Sequence, residues 1–198
     1  MRLSLLVLCF TTIALAAPCF AAKQVPPPFE GRVERLFDGD TFTVVSAADK
    51  ERVKVRLYGI DAPDMRQPHY QQALSLLRDQ ASLQQVKVYP AGYDKECLVA
   101  EVILLEKKQR LSEVMVRNGY AWAYRAHCKD PALDQAQELA RQEGRGIWAE
   151  PAPEPPWEWR ERQPYAVVKK ALQSGEMPGN RPFPLGKKDL DFFRFEAR

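Results

Sequence analysis

The chain has 198 residues, of which 45% are hydrophobic and 28% are charged, and its formal net charge is +3. This composition excludes an intrinsically disordered chain and is typical of one globular domain with additional segments. The basic excess lies mainly in residues 163–198, so residues 22–162 are nearly neutral and any affinity there for nucleic acid must come from local patches.

The first 21 residues have the pattern of an N-terminal leader. Met1 and Arg2 precede the apolar run LSLLVLCFTTIALAA, and Pro18 and small residues follow it. This pattern predicts a secretory signal peptide over residues 1–21, with export to the periplasm or to the exterior of the cell. An uncleaved anchor and a lipid-modified Cys19 remain open as alternatives. No later segment is apolar enough to predict a membrane span.

Three strands are predicted in the part of the chain that follows the leader. The segments EGRVERLF and TFTVVSA flank Asp38 and Gly39, a dipeptide that favours tight turns. The third segment, RVKVRLYG, alternates, with two valines and Leu57 on one face and Arg56 on the other. Arg56 is therefore expected to point away from the apolar face of the sheet.

Helices and two further strands are predicted after the third strand. The segment HYQQALSLLRDQ has apolar residues at helical spacing, and strands near QVKVYP and CLVAEVILL follow it. A short helix over residues 112–118 is expected to end before Gly119. Another is expected to begin at Pro131, after the N-cap Asp130, and to stop at Gly144. Five strands and three helices in this mixed order predict a small α+β barrel domain.

The C-terminal part of the chain is less informative. The segment PAPEPPWEW is proline-rich. We expect its tryptophans to pack against the domain, although a surface linker remains the alternative. Residues 163–198 contain no recognisable motif and are predicted to form a tail beyond the domain, which is either disordered or packed against it.

One pair of cysteines, Cys97 and Cys128, follows the leader. In an exported protein such a pair predicts a disulfide bond, which would close a loop of about 30 residues. Two buried free thiols are the alternative interpretation.

Two carboxylates and one arginine are the candidate site. Asp40 follows the first predicted turn and Asp61 follows the third strand, so the two converge if those strands are neighbours. With a main-chain carbonyl they provide the oxygen ligands that Ca²⁺ prefers, and Arg56 would bind a phosphate beside the metal. Structural roles compete with this interpretation: Asp38 as a turn former, Asp61 as a turn cap and Arg56 as a surface ion-pair partner. The sequence has no Cys or His cluster at zinc spacing, no Gly-rich phosphate loop and no nucleophilic serine motif.

A series of motifs over residues 29–162 resembles the staphylococcal nuclease family. In chain order they are GRVERLFDGDTFTV, VRLYGIDAPD, QPHYQQA, YDK, VRNGYAWAY, ARQEGRGIW and PPWEWR. The resemblance implies a five-stranded OB-fold β-barrel with three α-helices, and a Ca²⁺-dependent enzyme that hydrolyses DNA and RNA by attack of water on phosphorus. We expect a monomer that has no membrane attachment once the leader is removed.

The resemblance also assigns roles to individual residues. The metal carboxylates fall on Asp40 and Asp61, and the carbonyl ligand falls on Thr41. The first phosphate-binding arginine is Arg56. Asp64 stands where the family has a glutamate, taken as the general base or the group that orients water.

Two further residues are expected to contact the substrate. Lys95 matches a basic position of the family, and Tyr124 offers a face on which a base could stack. Packing of Tyr124 in the core is the alternative interpretation.

One motif departs from the family pattern. Where the family reads Asp-Lys/Arg-Tyr-Gly-Arg, this chain reads DKECL over residues 94–98. Leu98 thus takes the place of the second phosphate-binding arginine, which predicts reduced activity unless Arg66 or Arg125 compensates. A nuclease-fold module that binds nucleic acid or protein without catalysis is the alternative function.

Overall fold

The computed structural model describes residues 23–126 and 128–162. The predicted signal peptide, His127 and the tail after residue 162 lie outside the described residues, so the leader and the tail stay predictions.

Eight strands and four α-helices are present in the described part of the chain. The strands are β1 (Phe29–Leu36), β2 (Thr41–Ser46), β3 (Arg52–Leu57), β4 (Ile60–Asp61), β5 (Gln85–Asp94), β6 (Cys97–Leu104), β7 (Gln109–Arg110) and β8 (Trp122–Ala123). The helices are α1 (Tyr70–Ala81), α2 (Leu111–Arg117), α3 (Pro131–Gln142) and α4 (Pro156–Arg162), and a 3₁₀ turn spans Gly146–Ala149. None of the helices described here is long and apolar enough to cross a bilayer.

Five of the strands form a closed, mixed β-barrel. Their order is β3-β2-β1-β5-β6, and a parallel pairing of β3 with β6 closes the barrel, while the other neighbours are antiparallel. The predicted α+β fold with a five-stranded barrel of OB type is confirmed. The count of three helices is corrected to four, because the proline-rich segment continues into α4. Pro156 is the first residue of that helix, where its missing N–H costs nothing.

Alternation along the strands determines which side chains fill the barrel. On β6, every second residue from Leu98 to Leu104 is fully buried, and the residues between them are half-buried. On β3, Val55 and Leu57 are buried and Arg56 lies between them on the outer face, as predicted. Burial of each large aliphatic side chain contributes about 1.5–3 kcal/mol to stability. The register of these strands therefore also decides which residues face the outside of the barrel.

Candidate active site

The turn between β1 and β2 holds Asp40 in place. The amide of Asp40 donates to Asp38 Oδ1 over 3.0 Å, so Asp38 is the turn former that the sequence suggested. A Cβ at Gly39 would lie 2.8 Å from the Cβ atoms of both Ala62 and Ala73. Only glycine therefore allows this turn to approach α1 and the loop after β4, and the approach buries Asp40.

The turn after β3 brings Asp61 next to Asp40. Gly59 has φ +78°, a left-handed conformation that reverses the chain, and β4 then pairs with β8. The amide of Leu57 donates to the Asp40 carbonyl over 2.9 Å, and the amide of Ala62 donates to Asp40 Oδ2 over 3.1 Å. Two main-chain amides, one donating to the backbone and one to the side chain of Asp40, therefore tie the segment around Asp61 to Asp40.

One guanidinium connects the acids of the site. Arg56 donates from Nη2 to Asp61 Oδ1 over 3.0 Å and from Nη1 to Asp94 Oδ2 over 3.2 Å. Its Nε lies 3.6 Å from Asp40 Oδ1. The Arg56 side chain keeps 30% of its surface exposed, whereas Asp40 and Asp61 are nearly inaccessible. The structure thus brings Arg56, Asp40 and Asp61 together, as expected from the strand order.

A second arginine, which the sequence analysis missed, enters the site from α4. Arg160 donates from Nη2 to Asp61 Oδ2 over 2.6 Å and from Nη1 to Asp64 Oδ2 over 2.9 Å. A longer contact of 3.3 Å joins Nη1 to Asp61 Oδ1. Arg160 lies in the motif PPWEWR, so a sequence signal existed. Pro156 at the first position of a helix was the clue that the motif is helical and can present an arginine.

The buried acids lack sufficient positive charge nearby. Burial raises the pKa of Asp40 to about 7, and repulsion from Asp38 adds to this rise. Burial also raises the pKa values of Asp61 and Asp64 above the ordinary value, and the neighbouring arginines offset only part of this rise. Such carboxylates would gain from a further cation in contact with them.

The hydrogen bonds of Thr41 show an additional role for its side chain. Its carbonyl accepts the amide of Phe37 over 2.9 Å and has a longer contact of 3.4 Å with the amide of Asp38. Its hydroxyl instead donates to Asp40 Oδ1 over 2.7 Å. The Thr41 side chain therefore orients the carboxylate of Asp40, and its carbonyl as a metal ligand stays a prediction.

The side chains of the site fit part of a Ca²⁺ coordination shell. Among residues 23–126 and 128–162, no group of three or more His, Cys, Asp or Glu is arranged to hold a metal ion. Asp40 and Asp61 share the guanidinium of Arg56, and Asp61 also pairs with Arg160. Both acids still have raised pKa values, so a divalent cation between them would add favourable positive charge. Ca²⁺ takes about six to eight oxygen ligands, and water and phosphate oxygens would have to supply the others.

The hairpin of β5 and β6 corrects the interpretation of Leu98. Asp94 pairs with Cys97, so only Lys95 and Glu96 form the turn. With this short turn, Leu98 points into the barrel and is fully buried, whereas Cys97 is half-buried and lines the cleft. Leu98 therefore does not stand where an arginine would reach a phosphate, and the argument for reduced activity from Leu98 is wrong. Lys95 lines the cleft, as expected of a substrate-binding residue.

This assignment makes a paired prediction for neighbouring residues. Leu98→Arg is expected to destabilise the protein by about 3 kcal/mol, because it buries a charge without a partner in the barrel. Cys97→Arg is expected to be tolerated within about 1 kcal/mol, because its side chain can reach the solvent of the cleft. Urea unfolding of both variants checks the prediction, and equal stabilities would contradict the register described here.

The predicted disulfide is not formed, since both Cys97 and Cys128 are free thiols. Cys97 precedes the residue that pairs with Val55 near the middle of β3. Cys128 lies at the far end of that strand, where its Sγ would be 3.1 Å from a Cβ at Gly59. The two cysteines therefore lie at different levels along β3.

Of the other residues predicted from the sequence, one lines the cleft and two do not. Tyr124 lines the cleft, and its ring lies 5.1 Å from that of Trp157 with an interplanar angle of 35°. Arg125 and Arg66, the expected substitutes for a missing arginine, do not line it, whereas Arg160 does. The second arginine of the cleft therefore comes from α4.

The cleft has a volume of about 930 Å³ and a distinctive balance of charge. Six acidic and four basic side chains line it, a net charge of −2 when all acids are ionised. The acids are Asp38, Asp40, Asp61, Asp64, Asp94 and Glu96. The bases are Lys54, Arg56, Lys95 and Arg160. A cleft with this charge attracts a divalent cation before it can accept an anion.

Comparison with known proteins identifies similar chains. A family model described as staphylococcal nuclease homologue matches residues 54–150. A protein of Escherichia coli named as an uncharacterized endonuclease is 33% identical over 133 residues, which is 67% of this chain and 86% of that protein. An uncharacterized endonuclease of Haemophilus influenzae is 36% identical over 132 residues, or 67% of this chain and 73% of its own length. A micrococcal nuclease of Shigella flexneri is 31% identical over 159 residues, or 74% of this chain and 90% of the relative.

Proposed function

The chain belongs to the staphylococcal nuclease family, and from this premise we propose that it is a Ca²⁺-dependent endonuclease that hydrolyses phosphodiester bonds in DNA or RNA. The observation that carries the proposal is the convergence of Asp40, Asp61 and Arg56 at one end of the barrel, in an open cleft. Relatives named endonuclease and micrococcal nuclease support the same class of reaction.

The arginine of β3 is suited to a phosphate that carries negative charge. Arg56 is held by carboxylates on three sides, and although burial lowers its pKa, Asp40 and Asp61 outweigh this and raise it. It therefore stays protonated and presents a planar fork of N–H donors that matches phosphate oxygens. Its rigid position favours stabilisation of the charge that develops on phosphorus during attack.

Asp64 is the candidate for the proton transfer from water. Its side chain is about one-third exposed, and burial raises its pKa, which makes the ionised carboxylate a better base. In the proposed reaction the water oxygen bonds to phosphorus, its proton passes to Asp64, and the bond from phosphorus to the leaving oxygen breaks. The leaving oxygen takes up a proton from the solvent of the open cleft. A bound Ca²⁺ would supply Lewis-acid polarisation of a phosphate oxygen.

Substrate would lie along the outer rim of the cleft. Lys95 at the hairpin tip can contact a neighbouring phosphate, and Tyr124 with Trp157 forms an aromatic surface on which a base can stack. These contacts do not depend on base identity, which supports a nuclease that accepts both DNA and RNA. A single chain contains all the groups named, which supports action as a monomer. The leader supports export to the periplasm or to the exterior, with no membrane attachment after cleavage.

The test is cleavage of a fluorescent single-stranded DNA oligonucleotide by the purified protein. Fragments are expected with Ca²⁺ and not with a chelator, and Asp40→Ala is expected to lower the rate by at least about 100-fold because it removes a carboxylate that would hold the cation. Parallel reactions with Mg²⁺ and Mn²⁺ identify the preferred cation, and an RNA oligonucleotide tests the breadth of the substrate class.

The same assay separates the enzyme from a binding module. If Ca²⁺ gives no cleavage above the Asp40→Ala variant while the oligonucleotide still binds, the protein is a nucleic-acid-binding module and the enzyme proposal fails. Equal cleavage by wild type and variant would point to a contaminating nuclease.

A further inference from the structure

We infer that Arg160 is a second phosphate-binding arginine of the cleft, supplied by α4 and not by the hairpin of β5 and β6. The inference rests on the proposed nuclease function and assigns a new residue to its substrate site. Arg160 lies outside residues 54–150, the range that the family model matches.

The two arginines converge on one atom. Arg56 Nη2 lies 3.0 Å and Arg160 Nη1 lies 3.3 Å from the same oxygen, Asp61 Oδ1. Both guanidiniums are thus within hydrogen-bonding range of a single oxygen atom. Two forks at this separation can bind one phosphate together, and they supply more donors and more positive charge than a single arginine does.

Contacts on both sides of α4 hold Arg160 in position. Gln67 is buried, and its Oε1 accepts the amide of Asp64 over 2.9 Å while its Nε2 donates to the carbonyl of Glu154 over 2.7 Å. This side chain therefore connects the Asp64 loop to the segment that leads into α4. Trp157, on the helix itself, packs on Tyr124 at the edge of the cleft. The arginine is placed by the fold and not by its own ion pairs alone.

Arg160 has donors left for a ligand. A guanidinium has five N–H groups, and Nε of Arg160 makes no hydrogen bond to any residue in the described part of the chain. The side chain is 42% exposed, while its partner Asp61 is 2% exposed. Arg160 therefore bridges a buried acid and the open cleft, which is the position that a phosphate contact requires.

The charge balance of the cleft requires this arginine. The lining residues carry a net charge of −2, which one divalent cation neutralises. Without Arg160 the cleft would remain negative after the cation had bound, and it would repel a phosphodiester. Arg160 is therefore one of the four basic groups that keep the metal-loaded cleft from remaining negative.

The experiment measures binding of a single-stranded oligonucleotide by fluorescence anisotropy in Ca²⁺ at several salt concentrations, together with cleavage. The variants are Arg160→Ala, Arg160→Lys and the control Arg162→Ala. Arg162 lies on the same helix, is 67% exposed and pairs with Glu154. Arg160→Ala is expected to weaken binding about tenfold, to reduce the salt slope by about one and to slow cleavage by about 100-fold. Arg160→Lys is expected to keep the salt slope and lose most of the rate, because it retains the charge without the fork.

A positioning role for Arg160 predicts a different result. If Arg160 only oriented Asp61, its loss would weaken Ca²⁺ binding measured without nucleic acid, whereas a phosphate-binding role leaves Ca²⁺ affinity unchanged or higher because a competing cation is gone. Unchanged oligonucleotide affinity and salt slope in Arg160→Ala, with active wild type, would overturn the inference and leave the nuclease proposal intact. Wild type that neither cleaves nor binds would overturn both. Thermal unfolding of each variant shows that it is folded.

Discussion

Replacement of Arg56 by alanine is expected to lower the rate of phosphodiester cleavage by about 10³-fold or more. A transition-state arginine contributes about 10³ to 10⁵ in rate at comparable phosphoryl-transfer sites. Arg56 also bridges Asp40 and Asp61, because its guanidinium contacts both carboxylates. Its loss therefore removes a phosphate donor and leaves two buried carboxylates with less compensation.

Two matched variants distinguish a catalytic role for Arg56 from a general loss of positive charge. Arg52 lies on the same strand, pairs with Glu34 at the surface and is 68% exposed, so Arg52→Ala should retain nearly full activity. Arg56→Lys retains the charge and loses the planar fork, and it should recover substrate binding more than rate. Single-turnover cleavage separates the two quantities. If Arg56→Ala retained more than about a tenth of the wild-type rate, the role assigned to this arginine would be refuted.

Much of the site could be predicted from the pattern of strands and turns, because residues close in sequence determine that pattern. Alternation along β3 places Arg56 outside the barrel, and the Asp38 and Gly39 turn determines where Asp40 begins the next strand. The acids meet because β2 and β3 are antiparallel neighbours, so the start of one lies beside the end of the other. Each of these steps depends on residues close in sequence, and each was predictable.

The hairpin of β5 and β6 shows where such rules fail. Its turn has two residues, and the length of a turn decides which side of a strand each later residue faces. The family pattern aligned by letters put Leu98 at the arginine position, but the strand parity buries it. A comparison of sequence motifs cannot detect this change, because it contains no information about strand register.

Long-range placement was the other source of error. Arg160 is about a hundred residues from Asp61 in the chain, and only the packing of α4 brings them together. In the same way, Cys97 and Cys128 were predicted to pair because of their number and compartment, although they lie at different levels of the barrel. Sequence spacing carries no information about either distance.

Substitution of Asp40 by asparagine is expected to abolish cleavage and, at the same time, to stabilise the metal-free protein at neutral and alkaline pH. The pKa of Asp40 is raised by burial to about 7, from an ordinary value of 3.8. Asparagine has nearly the same shape and can still accept the amide of Ala62 that Asp40 binds. It carries no charge, so the cost of burying an ionised carboxylate disappears.

The sign of the pH dependence follows from the direction of this shift. Between about pH 4 and pH 7 the folded state retains a proton on Asp40 that the unfolded state has released, so the free energy of unfolding falls as the pH rises through this window. Relative to Asp40→Asn, wild type should lose up to about 4 kcal/mol between pH 4 and pH 8, since each unit of pKa corresponds to about 1.4 kcal/mol. Urea unfolding in a chelator measures the difference. Asp94→Asn, which changes a half-exposed acid in contact with the same arginine, is the control.

Addition of Ca²⁺ should remove most of this difference in stability at pH 8. A cation at 100 times its dissociation constant adds about 2.7 kcal/mol to the free energy of unfolding of a protein that binds it, and Asp40→Asn should gain much less. Wild type that is as stable as the variant at pH 8 in chelator, or that gains nothing from Ca²⁺, would contradict a cation site at Asp40. In that case the burial of Asp40 would destabilise the protein without a functional reason. The expected result explains the destabilisation, because the same buried carboxylate binds the metal.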